Sequence, residues 1–126
     1  MSEIATPSGA EPGEAPWRAV RNHFGIGSFG ISAYAAEAAD YVLVGDHTEL
    51  DTRHEELFYV GSGRASVRVG DQVVDAPAGT FVYVEDPAVL RGATALEPGT
   101  TLIAVGGEPG KAYEVSSWER KYVDGE

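Results

Sequence analysis

From Trp17 onward, short runs rich in β-branched and aromatic residues recur every eight to twelve residues or so, punctuated by Gly, Pro and Asp. The pattern predicts eight strands: Phe29–Ala36, Tyr41–His47, Glu55–Val60, Arg64–Val69, Gln72–Ala76, Phe81–Glu85, Leu90–Leu96 and Thr100–Val105. Such spacing belongs to an all-β antiparallel fold, and eight strands suit a two-sheet jelly-roll β-barrel. Gly70-Asp71 and Pro98-Gly99 read as the turns of two hairpins, with Gly supplying the positive φ that each turn needs. Pro77-Ala78-Gly79 ends one run and opens the next. Gly106-Gly107-Glu108-Pro109-Gly110 must be a loop, and without a following long helix or a Gly-Lys-Ser/Thr ending it is no phosphate cradle.

Before Trp17 the pattern disappears. Residues 1–16 carry Pro7, Pro12 and Pro16 with several acids and few large apolar groups, a composition expected to stay disordered or lie against a sheet edge. The domain is therefore expected over residues 17–126. Near the other end, Ser116-x-x-Glu119 has capping-box spacing and predicts a short helix through Tyr122.

Composition narrows the setting. At 126 residues the chain fits one domain with an ordinary core. A net charge of −11 disfavours nucleic acid and anionic membranes as partners, and no apolar run is long enough to span a bilayer. There is no cysteine, hence no thiolate chemistry, and the N-terminus lacks a secretory pattern; a cytoplasmic location is the expectation.

The stretch from His54-Glu55-Glu56-Leu57-Phe58-Tyr59-Val60-Gly61-Ser62-Gly63 through Pro77-Ala78-Gly79-Thr80-Phe81-Val82-Tyr83-Val84 resembles the cupin superfamily. That family's first motif runs Gly, five residues, His-x-His, three or four residues, Glu, six residues, Gly. Gly45 can open it, Glu56 matches the glutamate and Gly63 the closing glycine. The resemblance covers roughly Trp17 to Glu119 and points to small single-domain cupins of unassigned activity. It implies a three-His, one-Glu metal site, but the His-x-His positions fall on Leu50 and Thr52, or Glu49 and Asp51, and no histidine lies near Leu90, where the second motif would place one. Of the four implied ligands only Glu56 is matched.

Strand alternation puts His54, Glu56, Phe58 and Val60 on one face if the strand reaches back through His54, and groups His47 with Glu49 and Asp51 if no bulge intervenes. His47, Glu49, His54 and Glu56 thus form a candidate site of mixed N and O donors compatible with Zn, Mn, Fe or Ni. A metal-free pocket is the other expectation, and the one preferred. There Glu56, with a pKa raised by burial and by a neighbouring acid, acts as general acid or base beside His47 or His54. A structural alternative has Glu56 kept ionised by Arg64, Arg68 or Arg91. Tyr34, Phe58, Phe81 and Tyr83 are candidates to line a cavity for a small organic ligand. His23, distant in sequence, reads as structural. Because Leu57-Phe58-Tyr59-Val60 is apolar on both faces, a cover over its outer side is expected; a homodimer is the expectation, with the N-terminal segment as the other candidate. The cupin resemblance makes an isomerase, cyclase, dehydratase or oxygenase thinkable, and a non-catalytic binding or sensing module is the alternative.

Overall fold

The computed structural model describes residues 12–113, so the helix expected at Ser116–Tyr122 lies outside the described residues. Nine strands and one short helix occur in the order β1 (Trp17–Arg18), α1 (Val20–Phe24), β2 (Gly30–Ala35), β3 (Val42–His47), β4 (Glu55–Ser62), β5 (Arg64–Val69), β6 (Gln72–Pro77), β7 (Phe81–Val84), β8 (Arg91–Ala95) and β9 (Thr101–Gly107). Every strand expected from the pattern is present, with ends within two residues; Gly106 and Gly107, expected in a loop, instead continue β9, where they pair with Glu56 and Glu55. The additions are β1 and α1, a two-residue strand and a five-residue helix too short to leave a period in the sequence.

All pairings are antiparallel, in two sheets ordered β1-β2-β9-β4-β7 and β3-β8-β5-β6. They face each other as a jelly-roll sandwich without closing into a continuous barrel. The β5–β6 hairpin turns at Gly70-Asp71 with Gly70 at φ 62°, as expected. The second hairpin is not one. Gly99 takes the expected positive φ of 76°, but β8 and β9 belong to different sheets, so this turn carries the chain across the sandwich. Turn chemistry specifies a local reversal and leaves the partner open.

Inward alternation builds the core. Phe58 and Val60 of β4, Leu102 of β9 and Val84 of β7 meet Val67 and Ala65 of β5, Ala93 and Ala95 of β8 and Ala76 of β6. Each fully buried Phe, Leu or Val contributes about 1.5–3 kcal/mol. The N-terminal segment joins this core in part: Ala15 is buried, donates its N–H to the Val42 carbonyl, and Glu14 bridges Val42 in parallel.

One end of the sandwich is left polar. There His47 on β3 pairs with Arg91 on β8, while Gly106 on β9 pairs with both Gly30 on β2 and Glu56 on β4. The strand directions therefore bring a histidine, an arginine and a glutamate to a common rim.

Candidate functional site

A cavity of about 1310 Å³ opens at this rim. Its walls include Ser32 and Tyr34 of β2, Val44 and His47 of β3, His54 and Glu56 at the start of β4, and Ala104 and Gly106 of β9. Small residues make the space: a Cβ on Gly106 would stand 2.8 Å from the Glu55 carbonyl and 3.8 Å from the His54 Cβ.

His47 owes its position to an irregular strand. The β3–β8 register shifts between Val44 and His47, and a bulge of this kind re-aims the side chains beyond it. Gly92 permits it, since a Cβ there would overlap the Asp46 side chain and press on the Val44 carbonyl at 3.1 Å. His47 then holds Gly45 O at 2.8 Å through Nδ1 and Glu49 Oε2 at 2.6 Å through Nε2. A carbonyl only accepts, so Nδ1 is placed to donate to Gly45 O, while Nε2 faces a carboxylate that favours the charged form of the ring. The hydrogen bond to Glu49 raises its pKa above 6.5, with burial opposing. Burial pushes Glu49 upward, but hydrogen bonds from His47 and from Thr52 Oγ1, at 2.7 Å, outweigh it and hold the carboxyl below its ordinary 4.5.

Glu56 forms the cavity floor. Burial and then the Glu49 charge raise its pKa above 4.5, while Arg91, donating from Nη1 to Oε1 at 3.0 Å, pulls the other way. Arg91 is wholly buried and also donates from Nε to Val89 O and from Nη2 to Asp86 O, each at 2.8 Å. His54 is 8% exposed, its Nδ1 3.7 Å from Glu49 Oε1 and its ring 5.3 Å from that of Tyr113.

The structure places His47, Glu49, His54, Glu56 and Tyr34 around one cavity, although β4 begins at Glu55 rather than reaching back through His54, and β3 is irregular before His47 and ends there. It separates the other three aromatic candidates. Phe58 lies on the inward face but is sealed in the core, at 0% exposure, and does not reach the cavity. Phe81 and Tyr83 occupy the outward phase of β7, whose inward positions are Val82 and Val84, and are 65% and 53% exposed. Neither lines the cavity. Of the three arginines considered for Glu56, Arg64 pairs with Asp75 and Arg68 with Asp46, leaving Arg91 as its partner. His23 packs against Phe24 in α1, away from the cavity. Ser32, Thr52 and Tyr113 join the site without having been singled out by the sequence pattern; Ser32 shares the inward phase of β2 with Tyr34 and accepts a hydrogen bond from Trp17 Nε1 at 2.8 Å.

Ligating atoms of His47, Glu49 and Glu56 lie within 4.8 Å of one another, the spacing of a metal cage. Their chemistry does not fit one. Two donors on one ion, at bonds of about 2.0–2.2 Å, stand roughly 3 Å or more apart, whereas His47 Nε2 and Glu49 Oε2 are 2.6 Å apart, the distance of a hydrogen bond. The third ligand, Glu56, already faces the guanidinium of Arg91. The arrangement is a hydrogen-bonded acid–base array, able to give and take protons at the cavity floor.

No protein-family model matches the chain, nor does any curated protein sequence. Solved structures do. KdgF from Halomonas sp. superposes with a TM-score of 0.68 at 18% identity, over 90% of this chain and 91% of that one. A cupin protein from Bacteroides fragilis gives 0.65 at 14% identity, over 92% and 93% of the two chains. An RmlC-like cupin from Shewanella frigidimarina gives 0.57 at 16%, over 86% and 88%. Two antiparallel sheets in jelly-roll order, superposing over nearly the full length of such structures, make this chain a small cupin-fold protein.

Proposed function

We propose that the protein binds a small organic molecule in the cavity at the open rim and acts on it by metal-free acid–base chemistry, in the manner of an isomerase, cyclase or dehydratase. The observation that carries this reading is Glu56, a carboxyl at the floor of a large cavity whose pKa is raised by burial and by Glu49. A carboxyl so placed keeps a larger protonated fraction toward neutrality and can deliver or accept a proton. The His47–Glu49 pair, with the imidazolium pKa also raised, supplies a second proton-transfer group 3.9 Å from Glu56. Tyr34 and Ser32 orient the bound molecule from β2.

A second reading is favoured by one contact. The Arg91–Glu56 ion pair can make Glu56 a structural anion, and the cavity is then a binding or sensing pocket without turnover. Native mass spectrometry of protein purified without denaturation, followed by incubation and reanalysis of any retained molecule, separates the two. The catalytic reading expects a retained compound that is converted by the wild type and held unconverted by Glu56→Gln, with a loss of about 10²–10⁴ in rate. Conversion at the wild-type rate by that variant sinks it.

The protein acts as a homodimer in the cytoplasm on this proposal. Support for the dimer is the outer face of the five-stranded sheet, where half-buried Leu57, Tyr59, Ile103 and Val105 adjoin the exposed Phe81 and Tyr83. A second copy of the same face covers it most simply, because a two-fold interface needs only one self-complementary patch.

A further inference from the structure

We propose that the Arg91 guanidinium is the resident cation of the site, filling the place against Glu56 that a divalent metal ion would take, and that it excludes such ions. The inference is independent of turnover, because it concerns the charge at the cavity floor and needs no substrate.

Three observations carry it. Arg91 has no exposed surface, and its charge is directed onto Glu56 Oε1, the oxygen that also stands 3.9 Å from His47 Nε2. Its other hydrogen bonds fix it there, since Nε and Nη2 donate to Val89 O and Asp86 O, the two ends of the turn before β8. That turn is closed on itself by Val89 N–H to Asp86 O at 3.1 Å and Ala88 N–H to Asp86 Oδ1 at 2.9 Å. The Pro87 carbonyl between them accepts the Glu49 N–H at 2.8 Å, tying the same turn to the loop that carries the second carboxylate. Arg91 is therefore built in rather than resting on the surface, and a guanidinium is never deprotonated in a protein.

The polar partners are then matched without metal. Glu49 hydrogen-bonds His47, and Glu56 faces Arg91. A divalent ion entering between Glu56 Oε1 and His47 Nε2, which are 3.9 Å apart, has to displace the His47–Glu49 hydrogen bond and sit beside a fixed positive charge. With the guanidinium gone, Glu56 loses its counter-charge, and two carboxylates and one imidazole, once the His47–Glu49 hydrogen bond opens, make a donor set that suits nickel or zinc.

The test is a titration of apo protein with Ni²⁺ and with Zn²⁺ near pH 8, where protons compete little, read by calorimetry and by metal content after desalting. Wild type is expected to retain neither ion, Arg91→Lys likewise, and Arg91→His to retain one equivalent. Retention of an equivalent by wild type overturns the proposal, as does a folded Arg91→His that retains none. Arg91→Gln, which removes the charge, serves should the histidine variant not fold. If neither folds in the absence of metal, refolding on addition of Ni²⁺ or Zn²⁺ supports the proposal. Failure to refold with either ion leaves the wild-type melting curve to decide: stabilisation by Ni²⁺ or Zn²⁺ overturns it, and no shift with either ion supports it.

Discussion

Arg91 and Glu56 are the residues on which the cavity floor depends, and they are not equivalent. Arg91 is fully buried with three acceptors, so Arg91→Ala leaves a carboxylate without its cation and the Val89 carbonyl without its donor. Loss of one partner of such a buried pair costs about 3 kcal/mol or more. Glu56→Gln strips the buried guanidinium of its counter-charge too, but keeps an oxygen for Arg91 to donate to and leaves its two turn contacts, so it costs less than Arg91→Ala. Urea unfolding of the two variants is expected to give that order; equal losses contradict it. His47 adds a pH dependence. Its folded pKa is raised, so its pairing with Glu49 stabilises the protein fully below the ordinary 6.5 and that part is lost as pH rises through the folded value. Glu56, also raised, acts in the same sense above 4.5, whereas Glu49, lowered, contributes above 4.5 and is lost as pH falls through its depressed value. Wild type is therefore expected to lose stability above pH 6.5 relative to His47→Gln, measured as the difference in unfolding free energy at each pH; parallel curves contradict this.

At the scale of elements, strand alternation makes most of the site legible in the sequence. Period two places Glu56 in phase with Phe58 and Val60, two and four residues on, and both are fully buried, so the inward face of β4 follows from the residue pattern. The same rule applied to β8 puts Arg91 in phase with Ala93 and Ala95, and an arginine in an inward phase is the signal that singles it out. The rule fails where a run is apolar in both phases. On β7 Phe81 and Tyr83 are larger than Val82 and Val84, yet the smaller pair faces the core, because the register with β4 sets the phase and size does not. The bulge in β3 leaves no local signal either, since its cause is a close approach between strands distant in sequence. Gly92→Ala tests its role. The added methyl meets Asp46 and the Val44 carbonyl, so the variant is expected to lose about 1–3 kcal/mol. It should also shift the His47 ring resonances in NMR spectra. A stable variant with unchanged His47 resonances contradicts the assignment of His47's position to this bulge.

For the whole molecule, the cupin fold is a scaffold that hosts many functions, and the function has to be argued from the rim. Among the described residues no helix is long and apolar enough to cross a membrane. The proposed dimer belongs to this scale. Sedimentation velocity is expected to give a two-chain mass for wild type and a one-chain mass for Phe81→Lys combined with Tyr83→Lys, both positions being exposed in the single chain. A one-chain mass for wild type contradicts the dimer. The central claim concerns the cavity floor: that Glu56 is an acid–base group there and not merely the counter-ion of Arg91. Its most direct test is a carbon-13 NMR titration of the Glu56 carboxyl in metal-free protein, assigned by comparison with Glu56→Gln. The account predicts a midpoint above the ordinary 4.5, as burial and the Glu49 charge require; a midpoint at or below 4.5 contradicts it and makes Glu56 a structural anion.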